Sequence, residues 1–316
     1  MESLSDLLKD MKNREFWRAL EEKTDEVLHD PLIVKWRSKY PDLDEKTLRS
    51  HMNRLYQYAK EYKQCSNCPG LERCPNDFAG HYTKLYVETI NGQAHIYDHK
   101  VTCKKMTAKQ KQDTLQRRIR SFYVDEKALF GGISVSEIVH NDPERVLAVD
   151  QIMEYILLTK EQGLQKEGLY LAGKFGTGKT FLMSFLLHEL AKEGYSGAIV
   201  FMPDFVEDLK SMFAEPQRLK DMLDTLKESD LLIFDDIGAE NLNPWVRDHV
   251  LGSILNYRMN RKPTFFTSNY ELDQLEQHFS FTSKDGEEEY KGKRLMDRIR
   301  HYVKVIVVKG RNKREA

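Results

Sequence analysis

The sequence predicts an α/β domain built on a parallel sheet, preceded by a small, mostly helical domain that contains a β-hairpin. The α/β prediction rests on residues 140–316, where helical patterns alternate with short apolar runs. The helical prediction rests on an amphipathic pattern within the first 64 residues, and the hairpin on an Asn-Gly pair between two alternating runs. A chain of 316 residues has the length of two ordinary domains.

Composition and charge exclude several classes of protein. Hydrophobic residues make up 40% of the chain and charged residues 31%, which is enough for a buried core in a polar protein. Residues 1–30 carry charges throughout, so no signal peptide is expected, and no run approaches the roughly 18 apolar residues of a membrane span. We therefore expect a soluble cytoplasmic protein with no membrane partner. The net charge of -1 gives no argument for or against nucleic acid.

The amphipathic pattern of the first domain has apolar residues at spacings of four, three, four and three, which places them on one helix face. Packing within its own domain is the commoner use of such a face, and docking on another protein is the alternative. The residues of this face are Leu48, Met52, Leu55, Ala59 and Tyr62.

A β-hairpin is predicted after the helices. Asn91 and Gly92 form the strongest short turn signal for two antiparallel strands. The apolar residues that alternate on either side of this turn are Leu85, Val87, Ala94 and Ile96.

A basic segment at residues 105–130 follows the hairpin and shows no strand pattern. We interpret residues 105–139 as a linker, helical in part, between domains at 1–104 and 140–316. A solvated helix is the commoner use of such a charge run, and contact with nucleic acid is the alternative. The residues that would make this contact are Arg117, Arg118, Arg120 and Phe122.

Five apolar runs of four to six residues mark the strands of the α/β domain. Most are bounded by Gly, Pro, Asp or Asn, and they alternate with helical patterns, which is typical of a parallel sheet buried on both faces. The runs are Leu169–Ala172, Ala198–Met202, Leu231–Phe234, Thr264–Thr267 and Val303–Val308.

A phosphate-binding loop is predicted after the first of these runs, because the sequence fits G-x-x-x-x-G-K-[ST] at every fixed position. Its glycines permit backbone angles closed to other residues, so successive N–H groups converge on oxyanions, and the next helix adds its positive dipole end. Lys179 would neutralise the β and γ phosphates, and Thr180 would coordinate Mg²⁺. The predicted nucleotide site consists of Gly173, Lys174, Phe175, Gly176, Thr177, Gly178, Lys179 and Thr180.

Two further runs end in polar groups. The run Leu231–Phe234 is followed by two carboxylates, which begin 56 residues after Lys179. We assign Asp235 to the Mg²⁺ shell and Asp236 to the attacking water, with a strand-end cap as the structural alternative. Asn269 follows the run TFFTS, and it would face the γ-phosphate if its strand lies between the other two.

Three arginines precede the last run in the segment GKRLMDRIR: Arg294, Arg298 and Arg300. An arginine inserted into the site of a neighbouring subunit stabilises the charge of phosphoryl transfer, which is worth ~10³–10⁵ in rate. A solvated basic helix is the alternative.

Together these four features resemble the AAA+ ATPases over residues 140–316. Within that superfamily, GKFGTGKT, LLIFDDIGAE, FFTSN and RLMDRIR are similar to the DnaC/DnaI branch of bacterial replicative-helicase loaders. Most AAA+ proteins continue with a helical lid that carries another arginine, but only residues 301–316 follow here, so that arginine cannot be placed. The resemblance implies Walker A roles for Lys179 and Thr180, Walker B roles for Asp235 and Asp236, a sensor 1 role for Asn269, and an arginine finger at Arg298, with Arg294 in reserve.

A zinc site is predicted in the first domain, where three of the four cysteines lie within ten residues as C-x2-C-x5-C. C-x2-C lets two thiolates meet one Zn²⁺, and a structural metal replaces the core that this polar region lacks. A two-residue turn at 91–92 would place residue 81 opposite residue 102, next to the last cysteine. The predicted ligands are Cys65, Cys68, His81 and Cys103, with Cys74 as the competitor; an all-cysteine site and ordinary reduced cysteines are the alternatives.

The cysteine cluster extends the resemblance over nearly the whole chain, toward the DnaI type of loader. The resemblance implies a primosomal ATPase that binds the replicative hexameric DNA helicase through its amino-terminal domain and loads it on single-stranded DNA. ATP would join neighbouring subunits, and slow hydrolysis would release that contact. We assign DNA contact to a helical insertion that contains Lys210, Arg218 and Lys220. The alternative is that this mixed-charge helix is only a solvated surface.

Other functions fit the sequence less well. A transposition helper ATPase shares the P-loop domain, but a zinc-bearing amino-terminal domain argues against it. A non-enzymatic adaptor would bind nucleotide only as a folding ligand, and the paired carboxylates Asp235 and Asp236 argue against that. A zinc-finger transcription factor is disfavoured because no basic recognition helix follows the cysteines.

Overall fold

The computed structural model describes residues 17–124, 143–282 and 286–312. The chain divides into two compact units, Met1–Gln112 and Asp113–Ala316. The described residues of the first unit form one hydrophobic core, and those of the second unit form two.

Helices form much of the first unit. Asp30 and Asp44 precede two of them, and each aspartate side chain accepts a hydrogen bond from a backbone N–H of the first turn. The amphipathic pattern that predicts one helix is divided at His51, which separates a short helix from a long one. The helices are α1 (residues 17–28), α2 (Pro31–Arg37), α3 (Glu45–Ser50), α4 (Met52–Ser66) and α5 (Lys104–Arg118), which continues past the limit of the unit.

The predicted hairpin is confirmed. Strand β1 (His81–Ile90) pairs antiparallel with β2 (Gln93–Thr102), and His81 lies opposite Thr102. Asn91 and Gly92 both have positive φ, at 52° and 80°, as a two-residue turn that matches the twist of the strands requires.

The core of the first unit joins the helices to one face of the hairpin. Most of the predicted helix face is buried, although Met52 is half-buried and Tyr62 is exposed. The buried apolar side chains of this core are Ile33, Trp36, Leu43, Leu48, Leu55, Ala59, Leu85 and Ile96.

A buried carboxylate fastens α4 to both strands. Glu61 is only 1% exposed, and it accepts hydrogen bonds from the backbone N–H and the hydroxyl of Thr83 at 2.6 and 2.8 Å. Gln57 donates a third bond at 2.8 Å, and Lys100 forms an ion pair with the same carboxylate. Burial opposes the charge of Glu61, but these donors together outweigh burial and lower its pKa. The folded unit therefore favours the ionised form of the Glu61 carboxylate.

The second unit is built on a six-stranded sheet in the order β10-β4-β7-β6-β5-β3, and every neighbouring pair is parallel. This confirms the predicted parallel sheet, and each of the five apolar runs coincides with a strand to within one residue at either end. The strands are β3 (Ile119–Phe122), β4 (Gly168–Ala172), β5 (Gly197–Phe201), β6 (Leu231–Asp235), β7 (Thr264–Ser268) and β10 (Val303–Val307).

Strand β3 lies in the segment that we interpret as a linker without strand pattern, and in this respect the interpretation is wrong. The strand pairs with β5 at the edge of the sheet, and only Ile119 is buried among its four residues. An alternation so short, with Arg120 and Ser121 at its centre, does not stand out from a basic helix pattern. The remaining linker residues, 125–139, lie outside the described residues.

Helices cover both faces of this sheet, so alternate strand residues enter two separate cores. Leu169 and Leu171 pack with α6 and α7, whereas Tyr170 and Ala172 face the other helices. No helix in the described ranges has the length and apolar character needed to cross a bilayer. The helices are α6 (Val146–Gln162), α7 (Lys179–Lys192), α8 (Met202–Ser211), α9 (Pro216–Glu228), α10 (Gly252–Arg258), α11 (Leu272–Ser280) and α12 (Glu289–Arg300), with a π-helix at Val246–Leu251 and two-residue strands β8 (Phe281–Thr282) and β9 (Gly286–Glu287).

Candidate nucleotide-binding site

The glycine-rich segment forms the turn from β4 into α7. Gly176 and Gly178 have positive φ, at 73° and 86°, a region that other residues rarely occupy. Gly178 is also the residue before the first turn of α7, so the free N–H groups of that turn lie at the carboxyl edge of the sheet. This arrangement of loop and helix is suited to binding an anion.

The ammonium group of Lys179 is held at this loop. Lys179 is 7% exposed, and its Nζ donates to the carbonyl oxygens of Gly173 and Lys174 at 2.8 and 2.9 Å. It also donates to Oδ1 of Asn269 at 2.7 Å. The charge therefore lies between the loop and the end of β7.

A hydroxyl and a carboxylate lie side by side below the loop. Thr180 Oγ1 donates to Asp235 Oδ2 at 3.0 Å, and Thr267 Oγ1 donates to the other carboxylate oxygen at 2.7 Å. Adjacent oxygen ligands of an octahedral Mg²⁺ are about 2.9 Å apart, given Mg–O distances of about 2.05 Å. Thr180 and Asp235 thus fit a Mg²⁺ ion in both chemistry and spacing. Burial raises the pKa of Asp235. The hydrogen bonds from the hydroxyls of Thr267 and Thr180 lower it, but burial has the larger effect.

Asp236 and Asn269 complete one network of hydrogen bonds. Asn269 Nδ2 donates to Asp236 Oδ1 at 2.8 Å, while its own Oδ1 accepts from Lys179. The backbone N–H of Asp236 donates to Thr267 Oγ1 at 2.8 Å, and Asp236 has a φ of 56°, which is uncommon outside glycine. Thr267 thus links the carboxylate of Asp235 to the backbone of Asp236. No role was assigned to Thr267 from the sequence, although TFFTSN places a threonine inside a buried strand.

The strand order explains why these groups meet. β7 lies between β4 and β6, which is the condition under which Asn269 was expected to face the phosphates. The carboxyl ends of three adjacent parallel strands therefore bring together an ammonium, two carboxylates, a hydroxyl and an amide. The catalytic roles assigned to the individual residues stay predictions.

Two segments that the sequence analysis did not assign also lie at the loop. The guanidinium of Arg145, which is 5% exposed, lies 3.0 Å from the point where a Cβ on Gly178 would stand. The residues at and after the end of β10 line a cavity of about 460 Å³ beside the loop. That cavity is lined by Glu144, Ala172, Gly173, Lys174, Thr177, Asn269, Glu271, Gln274 and residues 307–310.

The three candidate arginines of α12 do not join this network within the chain. Arg294 and Arg298 line a different cavity of about 470 Å³, next to the π-helix. Burial and then the charge of Arg294 lower the pKa of Arg298. Arg300 instead pairs with Asp273 and Glu276 at 2.9 and 3.0 Å, which holds α12 against α11.

The cysteines lie together in the first unit. Cys65, Cys68, Cys74 and Cys103, all half-buried, line one cavity of about 500 Å³ together with His81. The donor set is the one that Zn²⁺ prefers. No three of the His, Cys, Asp or Glu side chains in the described ranges are placed so that they could hold a metal ion as they stand. Two other histidines near the cysteines in sequence, His95 and His99 of β2, are not among the lining residues.

Hydrogen bonds orient the sulfur atoms. Asn76 Nδ2 donates to Cys65 Sγ, and the backbone N–H groups of Gly80 and Met106 donate to Cys74 Sγ and Cys103 Sγ, each at 3.4 Å. His81 Nδ1 lies 3.0 Å from the carbonyl oxygen of Ala79, which leaves Nε2 of the ring for another partner.

The residues considered for DNA contact are mostly engaged at the surface. Lys210 pairs with Glu207 at 2.6 Å within α8, and Arg218 of α9 pairs at 3.4 Å with Glu215, which immediately precedes that helix. Lys220 is exposed. Of the basic residues near β3, Arg118 donates to the carbonyl of Ala191 at 2.9 Å, while Arg117 and Arg120 are exposed and Phe122 is half-buried.

The parallel sheet, the phosphate loop after its β4 strand and the acid pair after β6 define a P-loop nucleotide-binding domain of the AAA+ type. Residues 1–97 match the family model described as primosomal protein DnaI N-terminus, and residues 155–316 match the IstB-like ATP binding protein family. The replicative helicase loader DnaI of Bacillus subtilis (strain 168) is 34% identical over 302 residues, which cover 95% of this chain and 94% of that protein. The chain belongs to the DnaI family.

Two solved structures agree with this assignment. The crystal structure of DnaI is 34% identical, has a TM-score of 0.50, and matches 63% of this chain and 98% of its own. A protein from Streptococcus pyogenes serotype M3 is 32% identical, has a TM-score of 0.51, and matches 65% of this chain and 100% of its own.

Proposed function

We propose that this protein is an ATPase that loads the replicative hexameric DNA helicase onto single-stranded DNA. The observation that carries the chemical part is the network that joins Lys179, Asn269 and Asp236 next to the Thr180–Asp235 pair. The similarity to a replicative helicase loader over nearly the whole chain supports the biological part.

In the proposed site, the backbone N–H groups of residues 175–180 bind the β and γ phosphates of ATP, and Lys179 neutralises their charge. Thr180 and Asp235 would hold Mg²⁺, which would supply positive charge to offset that of the phosphates. Asp236 and Asn269 orient the attacking water. Asp235 is only 2% exposed, and burying its negative charge costs free energy. A bound cation would offset that cost, so this carboxylate is suited to holding one.

A neighbouring subunit is proposed to complete the site. Arg294 and Arg298 line a cavity of their own and do not reach the phosphate loop within the chain. An arginine supplied by a second copy would stabilise the transferred phosphate and make self-association depend on ATP. We assign this role to Arg298, with Arg294 as the second candidate.

The two parts of the chain are proposed to divide the work. Residues 1–104 would bind the helicase. The second unit, which contains residues 140–316 and the edge strand β3, would bind ATP and DNA. The family match to the DnaI amino terminus at residues 1–97 supports the first assignment. On DNA, Lys210, Arg218 and Lys220 would contact the phosphate backbone without reading the base sequence.

Light scattering of size-separated mixtures with the cell's replicative helicase tests this function. We expect a hexamer-scale complex for the intact chain, strengthened by ATP, and loss of that complex when residues 1–104 are deleted. Lys179→Ala is the matched control, because it should keep helicase binding and lose only the response to ATP. Retained binding by the truncated chain, with its second unit folded, would contradict the division of work.

We also propose a structural Zn²⁺ held by Cys65, Cys68, His81 and Cys103, where it would cross-link the open end of the hairpin to the end of α4 and the segment after it. The hydrogen bond available at His81 Nδ1 supports the histidine, since metal-bound imidazoles commonly donate their other N–H to a carbonyl. Cys74 is the competing ligand.

Elemental analysis of purified variants distinguishes the two ligand sets. We expect one zinc per chain in the wild type and in Cys74→Ser, and loss of zinc in His81→Ala. Loss of zinc in Cys74→Ser but not in His81→Ala would make Cys74 the fourth ligand. Absence of zinc from wild-type protein that was purified without chelators would exclude the site.

A transposition helper ATPase is the second candidate function, because the IstB-like family match covers residues 155–316. That match concerns the ATP-binding part alone, whereas residues 1–97 match the amino terminus of a primosomal protein. Capture of a transposase without a helicase by the intact, tagged chain would favour this candidate.

A further inference from the structure

The segment after β10 continues along the phosphate loop. The backbone N–H of Val308 donates to the carbonyl of Ala172 at 2.7 Å, one residue beyond the end of the strand. The carbonyl oxygen of Val308 lies so close to Gly173 that a Cβ there would stand 2.4 Å from it. The chain thus leaves the sheet in direct contact with the first residue of the loop.

The same segment reaches a second glycine of the loop. Gly310 has a φ of 137°, which lets the backbone turn where another residue would be strained. Two residues later, Oδ1 of Asn312 lies 1.7 Å from the place where a Cβ on Gly176 would stand. Two loop glycines therefore lack room for a side chain because this segment, residues 308–312, lies against them. We call it the tail segment.

One exposed lysine of the tail segment lies at the site. Lys309 lines the cavity of about 460 Å³ together with Lys174 and Asn269. Asn269 accepts a hydrogen bond from Lys179, so this cavity adjoins the group expected to meet the terminal phosphate. Glu144 and Glu271 also line the cavity, and a multiply charged phosphate would attract the lysine more strongly than single carboxylates do.

We propose that Lys309 binds the terminal phosphate of ATP within its own chain, and that the tail segment forms one wall of the nucleotide site. This inference rests on the proposed function, since it concerns the same site. ADP lacks the terminal phosphate, so Lys309 distinguishes the two nucleotides.

Calorimetry of the full-length protein tests the assignment, with Mg²⁺ and either a non-hydrolysable ATP analogue or ADP. We expect Lys309→Ala to weaken binding of the analogue about tenfold, the effect of one charge-assisted hydrogen bond, and to change ADP binding less than about twofold. Lys309→Arg should restore most of the affinity. Lys192→Ala is the control, because Lys192 is an exposed lysine at the far end of α7, about 20 Å along the helix from Lys179.

Three outcomes would overturn parts of the account separately. A folded wild-type protein that binds neither nucleotide contradicts the proposed function itself. A wild type that binds both, with Lys309→Ala binding both equally well, contradicts the role of Lys309 alone. Equal weakening for analogue and ADP, together with a lowered melting temperature in the absence of nucleotide, would make Lys309 a structural residue and refute its contact with the terminal phosphate.

Discussion

At the scale of single residues, the site depends on polar side chains whose partners come from distant parts of the chain. The phosphate loop, Asp235 and Asn269 were predictable, because each follows an apolar run and its chemistry is carried by local sequence. Lys309 and Arg145 were not, since nothing local shows that Lys309 lines a cavity beside the loop or that Arg145 lies against Gly178. Contacts between residues far apart in sequence form only when the sheet is assembled.

A buried arginine is the clearest case of a residue whose role depends on distant partners. Arg258 is fully buried and donates to Thr264 Oγ1 and to five carbonyl oxygens at distances from 2.6 to 3.2 Å. Burial lowers its pKa to about 10, so the side chain stays charged at neutral pH. The five carbonyls belong to Leu226, Lys227, Ser229, Asp230 and Pro263, at the end of α9 and before β6 and β7.

We therefore expect Arg258→Lys to lower the free energy of unfolding of the second unit by about 2–4 kcal/mol. Lysine has three donors on a single nitrogen and would leave several buried carbonyls without a partner. Denaturant unfolding measures the change. Arg261→Lys is the control, because Arg261 is exposed and stacks on Tyr257 at 5.2 Å, and it should change stability by less than about 0.5 kcal/mol. Equal stability of Arg258→Lys and the wild type would contradict this role.

At the scale of secondary-structure elements, predictability followed the length and regularity of each pattern. The hairpin was predictable in detail because Asn91 and Gly92 set both the turn and the register. The division of the amphipathic helix at His51 and the edge strand Ile119–Phe122 were not, because each concerns too few residues to change a periodic pattern. The hydrogen bonds to β5 make this segment a strand, because the sequence of β3 alone shows no strand pattern.

The attachment of α4 to the hairpin is predicted to depend on the charge of Glu61. Glu61→Gln keeps the shape but removes the ion pair with Lys100, so the first unit should lose about 1–3 kcal/mol of stability at neutral pH. Hydrogen exchange of amides 81–102 in the full chain measures this loss. Glu88→Gln, at an exposed position of β1, should leave exchange unchanged.

The pH dependence follows from the lowered pKa of Glu61. The ionised carboxylate contributes its full stability above the ordinary value of 4.5, and this contribution is lost as the pH falls through the lower pKa of the folded state. The difference between wild type and Glu61→Gln should therefore be constant from pH 6 to 8 and shrink below about pH 4.5. A difference that stays constant at acid pH would show that the charge of Glu61 is not what stabilises the hairpin.

At the scale of the whole molecule, the chain combines membership of a known family with a candidate nucleotide site. The chain belongs to the DnaI family over nearly its whole length, and its second unit places a phosphate loop, an acid pair and an amide at one edge of a parallel sheet. The sequence predicted the four central strands, β4, β7, β6 and β5, because they are buried on both faces and read as continuous apolar runs. Partner binding and assembly depend on other chains, so neither follows from the fold of one chain.

Titration calorimetry with Mg²⁺ and ATP tests the central claim most directly, namely that the loop at residues 173–180 and Asp235 hold a nucleotide with its metal. We expect saturable binding to one site in the wild type and in Lys192→Ala. Lys179→Ala should weaken it by at least about tenfold, because the phosphates lose the charge that the loop holds beside them. Binding that is absent from folded wild-type protein, or equal in Lys179→Ala, would contradict the account.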